Sequence, residues 1–153
     1  MKLVLFLLVL TIFIGCKNND DDEFLPLPIS TTRIGNGNLY GYGQENITEQ
    51  NLIISSNMAW TELMNKMNSV NNETDNFIET EIDFSNFIIL AIFDEIKMNG
   101  GYTIDIARVV ENQNNLTVTI RNLSPNRIAP TVITQPFYIV KIAKTAKTII
   151  FKK

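Results

Sequence analysis

The stretch that decides the fold runs from Asn99 to Ile142. It reads NGGYTIDIARVV (99–110), ENQNN (111–115), LTVTIRNLSP (116–125) and, after an interval, TQPFYIVKI (134–142). Tyr102, Ile104 and Ile106 alternate with Thr103, Asp105 and Ala107, and Leu116, Val118 and Ile120 alternate with Thr117, Thr119 and Arg121. A side-chain period of two places one set in the core and the other in water. The two runs therefore predict antiparallel strands joined by a turn at Glu111 to Asn115. Gly100-Gly101 permits positive φ, so Lys97 to Gly101 predicts a hairpin turn leading into the first strand. Pro136 launches a third strand, Phe137 to Ile142. Between the second and third lies Ser124 to Pro136, a loop whose shape Pro125, Pro130 and Pro136 restrict.

Upstream, Phe87 to Phe93 (FIILAIF) is continuously apolar, which implies a strand buried on both faces. Asp94 and Glu95 end it and, as neighbours on a strand, point to opposite faces, so they make no paired-carboxylate device. Trp60, Leu63, Met64 and Met67 fall at i, i+3, i+4 and i+7, one apolar helical stripe over roughly 58–68 that Ser56 or Asn57 would cap. Asn51 to Ser55 is a short strand. The pattern GNGNLYGYG (35–43) has no following Lys-Ser/Thr and opens no helix, so it reads as tight turns around an edge strand, Leu39 to Tyr42. Downstream, Lys147 to Phe151 should form a hairpin with Phe137 to Ile142. The expected fold is α+β: one twisted antiparallel sheet of about six strands with one helix packed on it, barrel-like closure being the alternative.

The start of the chain has a different character. Lys2 precedes Leu3 to Ile14, a run that is apolar except for Thr11 and too short to span a bilayer comfortably, which takes roughly 20 residues. It ends at Gly15-Cys16, and Cys16 is the only cysteine. This arrangement resembles a bacterial lipoprotein signal, with residues 1–15 removed and Cys16 acylated. Two or more acyl chains anchor firmly, at roughly 0.8 kcal/mol per buried methylene. Lys17 to Glu23 (KNNDDDE) cannot bury itself, and with Pro26 and Pro28 it makes 16–32 an acidic, proline-stiffened tether. A lysine and acidic residues behind the cysteine also resemble the export signal of surface lipoproteins. The expectation is an outer-membrane, lipid-anchored protein exposed at the cell surface, with 33–153 as one globular domain.

Chemistry is constrained by what is missing. Histidine is absent, which removes Ser-His-Asp and Cys-His catalysis, histidine metal sites and the usual proton shuttle. No spaced set of carboxylates marks a calcium loop, so neither metal nor cofactor is expected. Without Lys2, 12 basic side chains stand against 16 acidic, a net of −4, and only Lys152-Lys153 are clustered, which disfavours nucleic acid.

GGYTIDI, Ser124-Pro125 and TQPFYIVKI together resemble the C-terminal domain of the protease complex subunit PrcB, over about 97–143. That family commonly shows Gly-Gly-Tyr-x-Ile-x-Ile, a Ser-Pro loop and Pro-Tyr-His-Ile-Val-x-Ile. These map to Gly100, Gly101, Tyr102, Ile104 and Ile106, to Ser124 and Pro125, and to Pro136, Phe137, Tyr138, Ile139, Val140 and Ile142. Phe137 stands where tyrosine is common and Tyr138 where histidine is. The resemblance implies a non-catalytic protein that binds and stabilises a protease at the surface. Gly100, Gly101, Tyr102, Ser124, Pro125 and Pro136 are then the candidate partner-binding residues. The alternative is a protease inhibitor that uses the Gly100-Gly101 turn and the Ser124 to Pro136 loop as plugs.

Overall fold

The computed structural model describes residues 24–126 and 128–153. Cys16, the leader and the acidic run lie outside the described residues. The described residues form eight strands and one α-helix: β1 (Leu27–Pro28), β2 (Thr32–Leu39), β3 (Gln50–Ile54), α1 (Asn57–Met67), β4 (Phe87–Phe93), β5 (Thr103–Glu111), β6 (Asn115–Leu123), β7 (Gln135–Ala143) and β8 (Thr148–Lys152). A short 3-10 turn, Glu73–Asn76, follows the helix.

The α+β class holds, but the single sheet of about six strands does not. The strands divide into two sheets of four, ordered β1-β5-β6-β8 and β2-β7-β4-β3, and neither closes into a barrel. The reason lies in β4 and β7. Both are central strands buried on both faces, so a helix on one side must be matched by a second cover on the other. Ile89, Ala91, Phe93, Phe137 and Ile139 face α1, where they pack with Trp60, Leu63 and Met67. Ile88, Leu90, Val140 and Ile142 face the other sheet, where they meet Val109, Leu116 and Val118. The molecule is three layers: helix, sheet, sheet. Each fully buried Leu or Ile in these layers contributes roughly 1.5–3 kcal/mol.

Three local expectations are corrected with it. Lys97 to Gly101 does not turn a hairpin, because β4 and β5 lie in different sheets; the segment crosses between layers. Nor do β7 and β8 pair. Lys144 to Lys147 carries the chain to the other sheet, where β8 lies parallel to β6 with Ile149 beside Leu116 and Phe151 beside Val118. Alternation fixes which face of a strand is buried and is silent on its neighbour, so β8 could not be placed from its pattern. The edge strand expected at Leu39 to Tyr42 is Thr32–Leu39 instead. It pairs with β7 through a bulge between Arg33 and Gly35, and Tyr40 begins a loop.

The helix meets its expectation closely. Ser56 caps it, its side chain accepting from the Ala59 amide, and Trp60, Leu63 and Met67 are its buried stripe. The Trp60 indole donates to the Thr80 carbonyl (2.8 Å) and stacks on Phe77, with ring centroids 5.9 Å apart. The hairpin β5–β6 is antiparallel as expected, with a bulge at Ala107.

Within 16–32, the last residues are docked on the sheet. Leu27 and Pro28 pair with Glu111 and Val110, and the Ile29 amide donates to the Val109 carbonyl (2.9 Å). Lys147 staples this corner: its ammonium pairs with Glu111 (2.8 Å), donates to the Asn112 carbonyl (2.8 Å) and sits over the Phe24 ring (4.6 Å).

Candidate functional site

Strand directions gather three connections at one end of the molecule. β2 and β4 end there and β3 begins, with Leu39 beside Gln135 and Gln50 beside Phe93. β6 ends and β5 begins at the same pole, with Thr103 beside Leu123. The loops 40–49, 94–102 and 124–134 therefore share it. Phe24 and the Asn112 turn mark the other pole.

The two loops expected to bind a partner are packed on one another. Lys97 and Thr134 exchange backbone hydrogen bonds (2.7 and 2.9 Å), and the Gly100 amide donates to the Pro130 carbonyl (3.0 Å). Gly100 is buried, and a Cβ there would lie 2.9 Å from Val132 Cγ1 and 3.0 Å from Pro130 Cγ. Gly101 has φ +84°, the left-handed region, and a Cβ would lie 3.0 Å from Pro125 Cβ. The glycine pair thus lets the crossover lie against the proline loop.

The candidate residues separate on exposure. Ser124 and Gly101 are exposed, and Tyr102 and Pro125 are half-buried. Pro136 is buried as the second residue of β7, where its carbonyl accepts from the Asp94 amide (2.9 Å). It positions the loop and presents no surface to a partner.

Charge at this pole is organised by Lys97. Its ammonium lies 3.2 Å from buried Asp94 and 2.8 Å from exposed Glu95, and 5.2 Å from the Tyr102 ring centroid. Burial works to lower the Lys97 pKa, but hydrogen bonds to Glu95 and Asp94 outweigh it and hold the ammonium above its usual range. The two carboxylates meet one cation rather than each other, so they form no acid–base pair. Among the described residues no group of three acidic or cysteine side chains is arranged to hold a metal.

Loop 40–49 was missed by reading GNGNLYGYG as turns alone. Tyr42 has φ 57° and Asn46 φ 53°, left-handed values uncommon for residues other than glycine. Buried Glu45 holds the loop from beneath, its Oε1 accepting from the Gly41 amide (2.7 Å). The backbone so held leaves Tyr42 more than half exposed, and exposed Met98 and Ile128 extend from the neighbouring loops. The signal in the sequence is Tyr42, an aromatic residue set between Gly41 and Gly43.

These elements define a two-sheet α+β domain that displays three packed loops at one pole. Residues 88–143 match the family model described as PrcB C-terminal. The family that the sequence resembles is thus the family that matches. The matched segment takes in β4, β5, β6 and β7 and the loops 94–102 and 124–134. It leaves out the helix and loop 40–49. No curated protein and no solved structure gave a significant match. No helix among the described residues is long and apolar enough to cross a membrane.

Proposed function

We propose that this chain is a non-catalytic, lipid-anchored envelope protein whose loop pole binds another protein within a protease-associated assembly. One observation carries the reading. Three loops meet at one end, pinned through Gly100, Gly101 and Glu45, and they present Tyr42, Met98 and Ile128 to solvent. Loops already held in place lose less entropy on binding, and exposed aromatic and methionine side chains are enriched at interface centres. The PrcB C-terminal match over 88–143 supports a partner connected with a protease complex. The lack of histidine supports a role without catalysis. Anchoring at Cys16, at the outer membrane and facing the cell surface, rests on the leader and on Lys17 with its acidic run.

A protease inhibitor is the second reading, favoured by the same convergence, since two proline- and glycine-shaped loops at one end could enter a cleft. Affinity capture from envelope extracts with the intact chain as bait, followed by a peptidase assay on the captured protein, separates the two. An active captured protease supports the binding module, and loss of its activity supports the inhibitor. Capture of no protein overturns both. For the anchor, Cys16→Ala should abolish incorporation of a fatty-acid label, and unchanged labelling would refute it.

A further inference from the structure

The sheet β2-β7-β4-β3 ends in β3, Gln50–Ile54, a strand with one neighbour. The Asp94 amide donates to the Pro136 carbonyl (2.9 Å) and the Lys144 amide to the Asn86 carbonyl (2.8 Å), both in the register of β4 with β7. Backbone groups alternate sides along a strand, so even-numbered residues of β4 turn theirs to β7 and odd-numbered ones to β3. Ile89, Ala91 and Phe93 therefore bond Ile54, Leu52 and Gln50, and Asn51 and Ile53 turn their N–H and C=O groups outward. Among the described residues no other strand or loop backbone bonds to those outward groups.

An open edge invites a further strand, and folds usually protect it by shortness, proline, a bulge or charge. The other three edges are protected in these ways. β1 has two residues, one of them Pro28, and β8 carries Lys152. β2 is bulged between Arg33 and Gly35, and the Ile78 amide donates to the Ile34 carbonyl within that bulge (2.9 Å). β3 is regular, uncharged and free of proline and glycine, and its Ile53 is 48% exposed. Beside it a groove of about 240 Å³, lined by Leu52, Ile54, Ala59 and Leu63, runs between the strand and α1.

The edge is complementary to itself. An antiparallel second copy centred on Leu52 sets Asn51 opposite Ile53 of the second copy, and Ile53 opposite Asn51 of the second copy, so every outward N–H meets an outward C=O. Leu52 then meets its own counterpart on the two-fold axis, beside the groove. The charges agree with this symmetry. From Leu52 to Ser55 the strand covers about 10 Å, and α1, rising about 1.5 Å per residue from Asn57, regains that level near Leu63 and Met64. Glu62 and Lys66 line the groove, pair with one another (3.2 Å) and lie on either side of that level. The two-fold places each Glu62 against Lys66 of the second copy, so opposite charges meet twice. We propose that β3 is the edge through which two copies of this chain pair, with Leu52 on the two-fold, joining two four-stranded sheets into one of eight. The proposal stands independently of what the loop pole binds.

Cysteine cross-linking of the full chain in cells reads this register, scored as disulfide-linked dimer above the wild-type level, where Cys16 is the only cysteine. Opposed residues of a non-hydrogen-bonded antiparallel pair have Cα atoms about 4.5 Å apart, inside the limit of roughly 7 Å for a disulfide. Leu52→Cys should therefore cross-link to itself, and Gln50→Cys, more than about 10 Å from its counterpart, should not. Ile53→Pro removes an outward N–H, which an edge strand tolerates, and should cut the Leu52→Cys dimer roughly 10-fold. Glu62→Lys, at an exposed helix position, should cut it roughly 3-fold, and adding Lys66→Glu should restore it. No dimer from Leu52→Cys, equal dimer from Leu52→Cys and Gln50→Cys, or a Leu52→Cys dimer unmoved by Ile53→Pro or by Glu62→Lys would overturn the proposal. A Leu52→Cys adduct with a different protein would overturn it as well, assigning the edge to another chain's strand.

Discussion

Gly101→Ala tests how the loop pole is built. Gly101 sits at φ +84°, and an L-residue in the left-handed region costs roughly 1–2 kcal/mol. The added methyl would also approach Pro125 Cβ to 3.0 Å, closer than nine in ten such contacts, so the proline must shift by a few tenths of an ångström. Pro125 follows exposed Ser124 and has room to give, so the backbone contributes most of the cost. Urea unfolding followed by far-ultraviolet circular dichroism should show a loss of about 1–2 kcal/mol with an unchanged m-value, and a melting temperature roughly 3–8 °C lower. Gly100→Ala provides the contrast: no left-handed backbone, but a methyl 2.9 Å from Val132 Cγ1. Its effect should be steric, and Val132→Ala in the same chain should relieve part of it. A Gly101→Ala change below about 0.5 kcal/mol would refute the left-handed crossover packed on the proline loop.

Leu90→Ala empties a site with no exposed surface between the two sheets, and should cost about 2–5 kcal/mol in the same unfolding assay; a loss under 1 kcal/mol would deny the second layer. Lys147→Met should speed hydrogen–deuterium exchange at 24–29 and leave 94–102 unchanged, because the Glu111 and Asn112 contacts are lost while the pole is untouched. Glu73 titrates above its ordinary 4.5, burial being the larger cause and the Glu45 carboxylate the smaller. The folded chain therefore holds this proton more tightly than the unfolded chain. The contribution of this group to stability is fully present below the unfolded value and is lost as pH rises through the folded one. Glu73→Gln should raise the urea midpoint at pH 7, with the gain fading below about pH 4; a gain that is larger in acid would reverse the sign.

Much of this was legible in the sequence because local pattern determined it. The stripe Trp60, Leu63, Met67 gave the helix and its buried face, and the alternation gave the β5–β6 hairpin with Ile104, Leu116, Val118 and Ile120 inward, whereas the bulge at Ala107, which alternation does not encode, turns Val109 into the core. The unbroken apolar run in β4 gave burial on both sides. That run also contained the correction: with one α-helix among the described residues, a strand covered on both faces requires a second sheet. What period cannot encode is partnership. β8 has the inward residues Ile149 and Phe151 that any edge strand could carry, and only the crossover at 144–147 assigns it to β6. At the pole, Gly101 packs against Pro125 and Gly100 against Pro130 and Val132, a contact between loops that spacing does not encode, and Gly100 and Pro136 are both buried. The left-handed backbone and exposure of Tyr42 go with a buried Glu45 bonded to the Gly41 amide, and the glycines around Tyr42 mark a turn without saying which side chain it leaves in solvent.

The central claim, that the loop pole is the binding surface, is tested most directly by capture with two matched variants of the intact chain. One carries Tyr42→Ser and Met98→Ser at the pole, and the other Arg108→Ser and Ile150→Ser on the outer face of the β1-β5-β6-β8 sheet. All four side chains are exposed, so both variants should unfold at the wild-type midpoint to within about 0.5 kcal/mol. The account predicts that the pole variant loses the proteins captured by wild type and the face variant retains them. Retention by the pole variant with loss by the face variant would contradict it.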